Sequence, residues 1–277
     1  MIQADDVPLA RAGAPERPDP AAWLKQRPNL IRLAAVALFF LFWEWAARDM
    51  SPLFMATPSG ILAAAHEMIA DGELLQACLQ SIVPLSIGLG ISIVGGIAIG
   101  IAIGEVWWLE YTLDPFLNAL YAIPRVALVP LIMLWAGLGI GGKVTILVSI
   151  AIFPVIFNTY AGIKDVRGNL IEIGQAYCAT PSQLFLKITL PASIPYIMAG
   201  IRLAVGLAII GMVVGEFFTA MSGLGGLIVK YANTFVTAKV FVPTVLIGIV
   251  GVGLTQLVLW IERRLSGWRT LERERTL

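Results

Sequence analysis

Residues 169–195 read NLIEIGQAYCATPSQLFLKITLPASIP, and around this stretch the middle of the chain stops being lipid-like. Up to Ala161 the residues are almost continuously apolar, and from Ile197 they become so again. Between those points lie Lys164, Asp165, Arg167, Glu172 and Lys187, too much charge for hydrocarbon, so the segment is a water-facing loop between two membrane spans. Within it Leu170, Ile173, Tyr177, Leu184, Leu186 and Ile188 recur at helical spacing. Thr180-Pro181 interrupts that pattern where a new helix starts easily, since a first-turn residue has no use for the N–H that proline lacks. Two short helices meeting at a bend, with apolar faces in water, predict a docking surface.

Composition agrees with a membrane chain. Of the 277 residues 58% are hydrophobic and 13% charged, with a mean hydropathy of +0.84; a soluble domain carries about 25% charged residues. A net charge of +1 gives no case for nucleic acid. The single histidine, His66, reads as a surface residue and argues against a His-based metal or catalytic site. Cys78 and Cys178 fit no metal spacing and fall on opposite sides of the membrane, so no disulfide is expected. The first 29 residues are polar and proline-rich, with Asp5 and Asp6 where the basic region of a signal peptide would stand.

The expected architecture is all-α and polytopic, with about six transmembrane helices of roughly 20 residues each. The spans fall near 30–47, 79–104, 116–138, 143–162, 192–219 and 241–260. Residues 1–29 read as a cytoplasmic arm, either disordered or lying on the surface with Trp23, Lys25 and Arg27 at headgroup level, and 262–277 as a charged cytoplasmic tail ending in solvent. Thr57 and Pro58 open a short helix that Asp71-Gly72 closes. Gly96, Gly100 and Gly104, four residues apart, prepare the second span for close approach of another backbone. Arg11, Arg17, Lys25, Arg27, Lys164, Arg167, Lys187, Arg263, Arg264, Arg269, Arg273 and Arg275 fall on one side; Arg48, Lys143, Lys230 and Lys239 fall on the other. The first side, with both termini and the loop, is therefore cytoplasmic.

GLGIGGKVT (137–145) imitates two nucleotide motifs. Gly137, Gly139 and Gly142 fit the dinucleotide pattern, and Gly137, Gly142 and Lys143 most of the phosphate-loop pattern. Val144 stands where a magnesium-binding hydroxyl is needed and both flanks are spans, so the stretch reads as a glycine-rich turn. The chain shows no ATPase of its own.

The loop resembles the signature of permease subunits of ATP-binding cassette importers, E-A-A-x-x-x-G, nine residues, then I-x-L-P. Glu172 takes the first position, Ile173 and Gly174 the alanines, Cys178 the glycine, and Ile188, Leu190 and Pro191 the closing triplet. Gly174 and Cys178 depart from the pattern; without glycine at 178, the left-handed bend is expected to pass to Ala179 or Thr180-Pro181. MATPSGIL (55–62), AIPRVALVPLIMLWAGLG (122–139), FPVIFNTYAGIKDV (153–166), GIRLAVG (200–206), EFFTAMSGLGGLI (216–228) and WIERRLSGW (260–268) resemble the sulfonate, nitrate and taurine branch. The resemblance implies a six-span permease of the inner (plasma) membrane of a bacterium, paired with a second permease copy as a homodimer. It implies ATPase subunits that carry the ATP and magnesium, and a periplasmic or extracellular solute-binding protein. Glu172, Gly174, Cys178, Ala179, Thr180, Ser182, Ile188, Leu190 and Pro191 would form the ATPase-docking loop. Pyrimidine-precursor, bicarbonate and aromatic-acid importers belong to the same branch and stay open as alternatives.

Polar residues inside the spans are pathway candidates, because each costs about 2.5–3.5 kcal/mol at a helix centre if charged and so faces protein or water. Arg125 lies near the midplane, about nine residues into its span at ~1.5 Å per residue. It either pairs with an anionic substrate or belongs to a packing ion pair or a watery cavity. Asn158 either lines the pathway or bonds across helices. Arg202 reads as structural. Glu216, roughly 21 Å further along the same helix, is out of its reach and reads as fixing the outer end of the fifth span. Ser222 to Phe235 is an amphipathic outer segment, either a gate or binding-protein contact or a loop helix packed on the bundle. A self-sufficient secondary carrier would show internal repeats or mid-span carboxylate clusters, and an intramembrane enzyme would need paired acids or histidines; the sequence offers neither.

Overall fold

The computed structural model describes residues 28–166, 168–219 and 222–265. Most of the expected N-terminal arm, Arg167 and the tail from residue 266 lie outside the described residues. The chain divides into two units, 1–51 and 52–277. The described part of the first includes α1 (Pro28–Arg48), an apolar helix on which Phe40 stacks with Trp43 and meets Phe39 edge-on, and Arg48 reaches back to Glu44 at 3.4 Å.

The second unit holds α2 (Pro58–Ala70), α3 (Glu73–Glu105), α4 (Trp107–Ala122), α5 (Val129–Ala136), α6 (Ile140–Lys164), α7 (Gly168–Ala176), α8 (Pro181–Leu184), α9 (Leu190–Phe218), α10 (Gly223–Asn233) and α11 (Thr237–Leu265). Among the described residues of the whole chain, five helices are long and apolar enough to cross a membrane, or six if one bent pair counts as a span. Thr57 caps α2, its hydroxyl accepting from Gly60 N, with Pro58 in the first turn.

The centre of this unit is α6, clasped between α3 and α9. Glycine makes the clasp. A Cβ at Gly96 would stand 2.6 Å from the Val155 Cβ, one at Gly100 2.6 Å from the Thr159 Cβ, and one at Gly104 2.7 Å from Ile163. On the other flank, Gly200 meets the Asn158 Cβ and Gly211 the Leu147 backbone in the same way. Leu85, Leu147, Ala151, Val155, Ala204, Ala208 and Met212 fill the seam. Lipid tails give helices no hydrophobic reason to associate, so close backbone approach and dispersion hold them.

Several helix boundaries differ from the expected spans. The helix that holds the second span starts earlier, at Glu73. The third is broken: α4 stops where Ile123 and Pro124 are extended, one 3-10 turn (Arg125–Leu128) follows, and the two halves meet at 85°. Pro124 causes the break by forcing Ile123 out of the helical region (φ −70°, ψ 131°). Hydropathy over 116–138 hides it, because a bent and a straight helix are equally apolar. Finally, α11 continues to Leu265, so Glu262 belongs to a helix and its carboxylate bonds Arg202 rather than ending in solvent.

Candidate functional site

The loop between α6 and α9 is a built elbow. At the end of α7, Cys178 N donates to Gln175 O at 2.8 Å and Ala179 N to Gly174 O at 3.0 Å. This pair of bonds closes a helix through a residue in the left-handed region. That residue is Cys178 itself, at φ 57°, so the bend stays at the glycine position of the signature and does not pass to Ala179 or Thr180. Thr180 is extended and opens α8: its hydroxyl accepts from Gln183 N, and the Gln183 side chain accepts from Thr180 N. Gly174 is buried where the two helices touch; a Cβ there would stand 2.5 Å from Leu184 Cδ2 and 2.8 Å from Ile188 Cδ1.

Beyond α8 the helix does not stop. A π turn (Phe185–Thr189) joins it to α9, so residues 181–218 run as one helical rod. The fifth span was expected to begin near Ala192; its helix instead reaches back into the elbow. The wider turn accommodates one residue too many for α-geometry.

The elbow sorts its predicted residues into two sets. Glu172, Cys178, Thr180 and Ser182 are exposed, and Ala179 is half-buried at the bend. Ile188, Leu190 and Pro191 are half-buried, with Ile188 against Gly174 and Leu190 against the cluster of Ile197, Met198, Ile201, Val205 and Val258. Tyr177, legible only as part of the amphipathic pattern, stands 85% exposed at the tip, with Ile173 at 54% beside it. At the base, Glu110 of α4 accepts from Tyr160 at 2.7 Å and Lys164 at 2.6 Å, and Tyr196 of α9 bonds Asp165.

At the opposite end of the bundle Glu216 is fully buried. Its carboxylate accepts from Ser81 Oγ at 2.6 Å and Gly225 N at 2.7 Å, and Lys143 Nζ lies 4.0 Å away. Ser81 Oγ accepts from Leu224 N, Gln80 from Gly223 N, and Lys143 donates to Ser222 Oγ at 2.8 Å. The free N–H groups that open α10 are thus met by side chains of α3 and α9, with negative charge at a helix N-terminus. Gly223 admits the carboxylate: φ is +84°, and a Cβ would fall 2.1 Å from Glu216 Oε1. The lysine of the phosphate-loop imitation therefore serves this clamp. Further along α10, Lys230 and Tyr231 both donate to Glu73. The hydrogen bond to that carboxylate raises the Lys230 ammonium above its ordinary value, and burial raises the Tyr231 phenol.

Of the other span candidates, Arg202 bonds Glu262 across α9 and α11. Asn158 donates to Pro154 O at 2.8 Å, within its own helix. Arg125 sits in the 3-10 turn of the broken span, its guanidinium 4.6 Å from the ring centres of both Tyr121 and Phe153. The structure does not gather Arg125, Asn158, Arg202 and Glu216 into one site.

Comparison with known proteins places the chain. Residues 92–267 match the family described as binding-protein-dependent transport system inner membrane component. The putative aliphatic sulfonates transport permease protein SsuC of Bacillus subtilis (strain 168) is 34% identical over 220 residues, covering 79% of this chain and 80% of the relative. The formylaminopyrimidine transport permease protein ThiX of Halalkalibacterium halodurans is 32% identical over 237 residues, covering 84% and 94%. In fold, the chain is similar to a solved structure of the inward-facing MetNI methionine ABC transporter, with a TM-score of 0.51 at 19% identity, covering 67% of this chain and 95% of that one. With its helical spans and its elbow in the signature position, the chain belongs to the binding-protein-dependent transport system inner membrane component family, the transmembrane permeases of ATP-binding cassette importers.

Proposed function

We propose that this permease works as one of two identical copies whose elbows rest on ATPase subunits in the cytoplasm. A soluble binding protein on the other side delivers the solute. Both termini are cytoplasmic, and ATP and magnesium belong to the ATPase subunits, this chain hydrolysing nothing. The solute is a small anion of the sulfonate, taurine or nitrate kind, supported by the similarity to an aliphatic sulfonate permease. The formylaminopyrimidine permease at nearly the same identity keeps a pyrimidine precursor as the second reading.

The observation that carries the docking role is continuity: the elbow is locked at Gly174 and shares one helical rod with the fifth span. A ligand shifts a conformational equilibrium only by its differential affinity for the two states, and a partner's motion reaches the spans only through a stiff connection. Closure of the ATPase pair would move the exposed face of Glu172, Tyr177 and Ser182, and the rod would pass that motion on. Arg202 and Glu216 are assigned to holding helices together. The test is co-purification with the cognate ATPase from membranes: Glu172→Arg combined with Tyr177→Asp should cut ATPase recovery at least tenfold at unchanged permease abundance. Recovery equal to wild type would remove the elbow from the contact.

A further inference from the structure

We infer that Arg125 holds the anionic group of the solute at mid-membrane, and that the solute is an organic anion with an apolar body, tested here as a sulfonate. The inference rests on the importer reading above and narrows its substrate class.

Lys143, Lys164, Arg202, Lys230 and Lys239 each have a carboxylate: Glu216, Glu110, Glu262, Glu73 and Glu67. Arg125 has none within ion-pairing distance among the described residues. It is held between the rings of Tyr121 and Phe153, one Nη donates to the Tyr121 carbonyl at 2.9 Å, and Nε is enclosed with no acceptor. Its depth follows from Phe153, which is about 20 Å from the Ile140 end of α6 and about 17 Å from the Lys164 end at 1.5 Å per residue. A cation fixed at that depth needs a negative partner or water.

The rings decide what kind of anion fits. Tyr121, Phe153 and Phe157 form one aromatic group, with centroids 5.2–6.4 Å apart. Aromatic faces are electron-rich and repel anions, so the charge must sit at the guanidinium and an apolar body must cover the rings. Nitrate would gain only the first of these. Taurine would bring an ammonium to an aromatic group in which Tyr121 and Phe153 already hold the Arg125 guanidinium, so like-charge repulsion opposes the cation–π attraction that the rings offer. On α4, Glu110 is engaged by Lys164 and Tyr160, and Asp114 is about 10 Å along the helix from Tyr121, beyond the reach of a two-carbon zwitterion.

The test uses the complete transporter, permease copies with their ATPases, in phosphatidylcholine nanodiscs. Binding of radiolabelled benzenesulfonate is measured with unlabelled nitrate and taurine as competitors. Wild type should bind it, with either competitor at least tenfold weaker. Arg125→Gln should lower binding at least tenfold and Arg125→Lys should keep part of it, with ATPase recovery unchanged in both. Absence of wild-type binding, equal competition by nitrate or taurine, or undiminished binding by Arg125→Gln would each overturn the proposal. So would loss of ATPase recovery in Arg125→Gln alone, which would assign the arginine to holding the assembly together. Failure of the importer reading shows separately, as a wild-type permease that retains no ATPase.

Discussion

Cys178 stands where the family signature carries glycine, and the structure shows why glycine suits the position. The bonds from Cys178 N and Ala179 N close α7 only if residue 178 is left-handed, and its φ is 57°. A side chain in that region costs about 1 kcal/mol relative to glycine. Exposure of the thiol spares it any packing penalty on top. Cys178→Gly is therefore expected to stabilise the elbow by about 1 kcal/mol, read as slower hydrogen exchange of the amides of α7 in the assembled transporter. Unchanged or faster exchange would mean that the bend is not strained. Gly223 is the reverse case, because a Cβ there would fall on the Glu216 carboxylate as well as meeting a positive φ.

Among the elements, the π turn at Phe185–Thr189 sets the angle between the elbow and the fifth span. Deleting one residue from it would restore α-geometry and turn α8 by about 100° about the rod axis. Gly174 would then no longer face Leu184 and Ile188. The deletion should leave the permease in the membrane and abolish ATP-driven uptake, measured in cells that also express the ATPase and binding protein; normal uptake would show that the register is not used. Much of this region was legible in the sequence. Charge marked the loop, Thr180-Pro181 marked the helix start, and Gly96, Gly100 and Gly104 marked a close approach. The π turn was not legible, since helical spacing over five residues does not separate it from an α-turn. Nor was the break at Pro124, hidden in a uniformly apolar run. The partners of Glu216 and Arg202 come from distant helices, and one sequence does not show which faces meet.

Across the whole molecule, the second unit gives a stiff core around α6 and polar fastenings at its two ends. Glu110, Tyr160, Lys164, Asp165 and Tyr196 tie the elbow's base; Glu216, Ser81 and Lys143 tie α10 at the other end. Arg125, with no carboxylate partner among the described residues, sits beside the break in the third span. Such a layout suits a machine moved at one end and loaded at the other. The proposed docking role requires that ATPase closure move the elbow as a rigid part. Pulsed electron spin resonance between nitroxides on Cys178 of the two permease copies, in the complete transporter with Cys78→Ala, reads that motion. Trapping the ATPases with ATP and vanadate should shorten the distance between the labels. A distance distribution identical with and without ATP would show that the elbow does not follow the ATPases.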